Sequence, residues 1–97
     1  MNLAILFGGA SYEHEISIVS AITLKDKLSS LNLDFIFLDQ DHTFYLIDAS
    51  KMNAKLFSSG LYKKETVLTI QKSGFSQKSF ISSKSINFDT VLNLIHG

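Results

Sequence analysis

Residues 3–21 read LAILFGGASYEHEISIVSA, and the order of residue types in this stretch decides the fold. Residues 3–7 are apolar without interruption, the pattern of a central strand buried on both faces of a sheet. Gly8 and Gly9 end the run and turn the chain. Ser11 stands where a helix N-cap would, and Glu13 and Glu15 fall in the first helical turn, where the positive end of the helix dipole favours carboxylates. Ala21, Leu24, Leu28 and Leu31 then recur at i, i+3, i+7 and i+10, which predicts one apolar stripe on a helix over residues 13–31. Asn32 ends it. Residues 34–39, DFIFLD, form a second short strand, so the first part of the chain spells strand, helix, strand. With the usual right-handed crossover this is a βαβ unit, and the expected fold is α/β with a mainly parallel sheet.

Beyond residue 40 the signals are weaker. Residues 43–48 predict a short strand, and residues 50–57 predict one or two helical turns behind a Ser50 cap, closed near Gly60. Residues 67–72 and 77–82, joined across Ser73 and Gly74, resemble a hairpin inserted in the sheet. Residues 88–95, FDTVLNLI, read as a last buried strand that stops at His96 and Gly97.

Composition narrows the chemistry. The chain has 97 residues, 45% of them hydrophobic, enough for one small domain and too few for two. Nine Lys balance nine acids to zero formal net charge, so the basic footprint of a nucleic-acid binder is missing. With no Arg in the sequence, an anion must be held by backbone N–H groups, hydroxyls, Lys or His. With no Cys, disulfides, thiolate nucleophiles and Cys-ligated zinc are excluded. Apolar runs are far too short to cross a bilayer, so the expectation is a soluble cytoplasmic protein without a membrane partner.

The strand–Gly–Gly–helix junction is suited to anions and zwitterions. The glycines let a ligand approach the backbone, and free N–H groups at a helix start point towards it. Glu13 and Ser17 are related by i, i+4 and share a face, whereas Glu15 points roughly 200° away from Glu13. A dinucleotide fingerprint fails for want of its second and third glycines. A serine-hydrolase elbow fails at its final glycine, and a zinc helix fails because no His follows His14 at i+4.

These residues resemble the amino-terminal signature of the D-alanine:D-alanine ligases, enzymes of the ATP-grasp group. Residues 93–97, NLIHG, resemble the strand that leads into the family's His-Gly-x-x-Gly-Glu-Asp-Gly loop. The resemblance is dense over residues 3–21, fair over 88–97 and thin over 40–87. It implies a Rossmann-like pre-ATP-grasp domain spanning residues 1–97, with the ATP-binding domains absent from this chain. The full-length enzyme would use ATP and Mg2+ (or Mn2+), none of them held by the fragment. It would join two D-alanines into D-Ala-D-Ala for peptidoglycan through an acyl phosphate, and the fragment alone would be inactive. The resemblance further implies a homodimer, Glu13 as a catalytic residue binding the ammonium of the first D-alanine, and a substrate wall built from Gly8, Gly9, the backbone around Ile16, Ser17 and His96.

Simpler readings stand beside these. Glu15 complements the helix dipole. Ser11 and Ser17 read as a cap and a helix-surface hydroxyl, with Ser17 also able to support Glu13. His14 and His42 read as solvated, and Lys63 and Lys64 as a solvated loop. The alternative function is a free-standing flavodoxin-like or receiver-like binding module, although Gly8 and Gly9 replace the acid pair a receiver carries after its first strand. The reading frame beyond Gly97 distinguishes the two.

Overall fold

A computed structural model of the 97-residue chain describes residues 2–9, 14–28, 30–71, 74–77, 84–86 and 90–95. The leading apolar run becomes β1 (Asn2–Gly8), followed by α1 (His14–Lys27) and β2 (Asn32–Leu38). β1 and β2 pair in parallel from Asn2 opposite Asn32 to Gly8 opposite Leu38, which completes the βαβ unit. The helix is shorter than the apolar stripe predicts. The Leu31 N–H bonds back to Leu28 O at 3.0 Å in a tight turn, and Leu31 is exposed. Ser30 and Asn32 compete with helical backbone bonding, and the chain must be extended by Asn32 to meet Asn2.

The strands follow the order β6-β5-β4-β3-β2-β1-β7, with β3 (Phe44–Ile47), β4 (Thr66–Gln71), β5 (Gly74–Gln77), β6 (Lys84–Ile86) and β7 (Thr90–Asn93). β1 lies between β2 and β7 and runs parallel to both. This parallel core carries the helix and the glycine turn. From β2 outward every pairing is antiparallel. The expected hairpin thus belongs to a four-strand antiparallel wing. Gly74 is already in β5, opposite Gln71, so the connection is residues 72–73, which lie outside the described residues.

Strand alternation divides the core between two faces. Ile5, Phe7, Phe35, Phe37, Tyr45 and Ile47 point to one face, where they meet Ile18 and Ala21 of α1 and Leu56 and Phe57 of α2 (Ala54–Ser58). Ala4, Ile36 and Leu68 cluster on the other. The helical turns expected over 50–57 form as a 3-10 turn (Ala49–Lys51) and then α2. The cap of α2 is Asn53, whose side chain accepts from Leu56 N at 3.0 Å, and not Ser50, whose own N–H is held by Asp48. Gly60, with φ 79°, closes this region as expected. Lys63 and Lys64 are exposed, in a 3-10 turn (Leu61–Lys64) rather than an open loop.

The last strand departs from its reading. β7 is the edge strand of the order, not a buried one, and leaves Val91 45% and Leu92 37% exposed. It pairs with β1 through Leu3–Thr90 to Leu6–Asn93, and among the described residues no strand covers its outer side.

Candidate substrate site

The site is built where β1 and β7 part. Leu94 N donates to Leu6 O at 2.8 Å, the last backbone bond between the two strands among the described residues. One residue on, Ile95 N donates to the side-chain oxygen of Asn93 at 2.8 Å, and the tail leaves the ladder. Opposite this fork the chain turns through Gly8 and Gly9, at φ 96° and 97°. Both positions require glycine for space as well as for φ. A Cβ on Gly8 would collide with the Leu38 carbonyl and lie 2.8 Å from a Phe37 ring carbon. One on Gly9 would lie 2.9 Å from Ile95 Cγ2.

Beneath the turn is an aromatic cluster that fixes its floor. The Phe7 and Phe37 rings are 5.3 Å apart, and Phe57 lies 4.8 Å from Phe37 and 5.5 Å edge-on to Phe7. Tyr62 adds an edge contact to Phe37 at 4.8 Å. Such pairs add about 0.5–1.5 kcal/mol each beyond the area they bury.

Ser17 departs from its reading as a helix-surface hydroxyl. It is 4% exposed, accepts from Gly8 N at 2.7 Å and donates to Gly8 O at 3.2 Å. The cause is position, since Ser17, Ile18 and Ala21 form the face of α1 turned to the sheet. Ile16 is one residue off that face and its side chain is 65% exposed, which leaves its backbone as the part able to line a site. Glu15 is exposed and lines a cleft of about 330 Å3 with Ile18, Val19, Ala54, Phe57 and Ser58, facing α2. Glu13, Ser11, the His14 side chain and His96 lie outside the described residues. The structure therefore brings Gly8, Gly9, Ser17 and Ile95 together at one end of the parallel strands. That end is where α/β folds bind ligands, because connections from the central strand diverge there.

Sequence reasoning missed Asp39, the residue after β2. It is 2% exposed, and its Oδ1 accepts from Asp41 N and Thr43 N at 2.9 Å each, which ties down the β2–β3 turn. His42, exposed as expected, sits in that turn at φ 65°. The signal was present as D-x-D-x-T, a short side-chain acceptor two and four residues ahead of free N–H groups. Burial pushes the hydroxyls of Tyr45 and Tyr62 above the usual tyrosine value, and the charge of Asp39 adds to both.

A raised tyrosine stays protonated in the folded chain at a pH where the unfolded chain has lost the proton. Its stabilisation is thus complete below the unfolded value, about 10, and is lost as pH rises through the folded one. The expected result is a melting temperature that falls above about pH 10, and by less in Tyr62→Phe. Equal alkaline falls in both proteins would show that Tyr62 does not contribute.

Among the described residues no three His, Asp or Glu side chains come together to hold a metal, and no helix is long and apolar enough to cross a membrane.

Comparison with known proteins agrees with the geometry. Over its full length the chain is 67% identical to a D-alanine--D-alanine ligase of Sulfurimonas denitrificans and 58% identical to one of a Sulfurovum species, and it spans 28% of the length of each. The crystal structure of the D-alanine-D-alanine ligase from Helicobacter pylori superposes on all of the chain, which covers 31% of it, with a TM-score of 0.85 at 48% identity. The VanG D-Ala:D-Ser ligase from Enterococcus faecalis shares the fold over 99% of this chain and 29% of its own, with a TM-score of 0.75 at 23% identity. Residues 2–97 fit the family described as the D-ala D-ala ligase N-terminus, and the chain belongs to that family.

Proposed function

We propose that this chain is the amino-terminal substrate domain of an ATP-dependent, cytoplasmic ligase that joins two D-alanines for peptidoglycan. The observation that carries the reading is the Gly8–Gly9 turn, held against Ser17 on one side and Ile95 on the other where β1 and β7 part. A small zwitterion fits such a place, because glycine backbone admits it closely and the start of α1 offers N–H groups and a favourable dipole for its carboxylate.

In this reading the Glu13 carboxylate accepts hydrogen bonds from the ammonium of the first D-alanine. The backbone at Ile16 and the His96 imidazole, next in the chain to Ile95, border its carboxyl group. That carboxylate takes the terminal phosphoryl group of ATP, releasing ADP. The amine of the second D-alanine then attacks the acyl carbon, and phosphate leaves as the amide forms. A magnesium or manganese ion, if held by the rest of the ligase, would supply neutralisation of the phosphate charge. The exposed Ile16 and Val19 on α1, with Val91 and Leu92 on β7, leave apolar surface for those other domains or for the second subunit of a homodimer.

The test is the whole ligase given D-alanine and ATP, with D-Ala-D-Ala identified by mass and phosphate release followed in parallel. Absence of dipeptide at saturating D-alanine would overturn the reading. The 97-residue chain by itself is expected to form no dipeptide and to bind ATP weakly, having no Arg and no phosphate loop. Calorimetric titration with ATP and magnesium checks this. A dissociation constant below about 100 μM, roughly −5.5 kcal/mol, would place the nucleotide site on this chain after all.

A further inference from the structure

The fork between β1 and β7 leaves Gly8 N without a strand partner on the β7 side, since the last backbone bond there is Leu94 N to Leu6 O. Ser17 takes that place, with its Oγ 2.7 Å from Gly8 N and its hydroxyl returned to Gly8 O at 3.2 Å. Both backbone groups of the last β1 residue are thus tied to one buried side chain of α1. We propose that Ser17 is a positioning residue of the ligase. It does not touch D-alanine, but clamps the end of β1 to α1 and so fixes Gly9 and the Ile16 backbone relative to each other.

Three observations support this over a direct ligand contact. Ser17 is 4% exposed, and its hydroxyl proton is used on Gly8 O. The clamp joins residues nine apart, so Gly9 on the strand side and Ile16 on the helix side each stand next to a tied residue. Gly8 cannot shift to compensate, because Leu38 O and the Phe37 ring fill the space a Cβ would take and Gly9 N is held by Leu38 O at 2.8 Å. The inference rests on the proposed D-alanine reaction, and its test is chosen to fail separately from it.

In the whole ligase, Ser17→Ala is expected to raise KM for D-alanine about 10-fold or more while KM for ATP stays within about twofold, because it removes both hydrogen bonds of a buried hydroxyl. Ser17→Thr restores the hydroxyl and is expected to recover most of the D-alanine KM. Thermal melts and the fraction of active protein accompany each variant. Hydrogen exchange at the Gly8 amide reads the clamp without reference to activity, slow in the native protein and in Ser17→Thr, fast in Ser17→Ala. An unchanged D-alanine KM in Ser17→Ala would overturn the positioning role. So would equal rises in both KM values, or a loss of activity that follows only the fraction folded. Slow Gly8 exchange in Ser17→Ala would show that no clamp exists. A native enzyme with no D-alanine-dependent turnover would instead overturn the proposed function, while the exchange result would still report on the clamp.

Discussion

In the whole ligase, Glu13→Gln is expected to lower kcat/KM for D-alanine by roughly 30-fold to several thousand-fold with the fold retained. The substitution keeps volume and removes the charge that the proposed function sets against the substrate ammonium. Truncating one member of a desolvated charge pair costs about 2–5 kcal/mol, much of it the penalty of leaving the other charge unpaired, and that range sets the expected loss. Glu15→Gln is the matched control. Glu15 lies in the first turn of α1 and is exposed towards α2, so its loss removes only a dipole complement worth under about 1 kcal/mol. Steady-state rates at saturating ATP and varied D-alanine, with melts for each variant, make the comparison. If Glu15→Gln is the crippled enzyme and Glu13→Gln turns over normally, the assignment of the substrate carboxylate is reversed.

The parallel core was legible because its signals are local and redundant. The apolar run, the glycine pair and the apolar stripe over residues 13–31 each point to one element, although the helix itself closes at Lys27, and a helix between two strands leaves a single favoured handedness. The antiparallel wing was harder to read, since residues 43–86 alternate short apolar runs with Ser and Lys, and pairing there depends on long-range register. The edge position of β7 could not be inferred from its composition. Val91 and Leu92 are as apolar as the buried Ile5 and Phe7, and what separates them is whether another element covers them. Ser17 was not legible as a buried residue, because its burial requires knowing that α1 lies on β1 with that face down. Asp39 carried an Asx-turn pattern that is easily taken for a strand-end acid.

The second large effect is on stability, and it arises at the glycine that no other residue can replace. Gly8→Ala is expected to destabilise the chain by about 2–5 kcal/mol, the sum of roughly 1–2 for a left-handed backbone and 1–3 for overpacking. Both terms apply here because φ is 96° and the new methyl meets the Leu38 carbonyl and the Phe37 ring. Neither neighbour can yield. Leu38 O holds Gly9 N, and Phe37 is locked among Phe7, Phe57 and Tyr62. Gly60→Ala isolates the backbone term, since Gly60 has φ 79° but nothing within 4 Å of where its Cβ would stand, and it is expected to cost only about 1–2 kcal/mol. Urea melts of both variants measure the difference, and against a typical domain stability of about 5–15 kcal/mol the Gly8 loss is large enough to threaten folding. If Gly8→Ala is no less stable than Gly60→Ala, the turn is looser than its contacts indicate, and a site that depends on close backbone approach at Gly8 and Gly9 loses its structural basis.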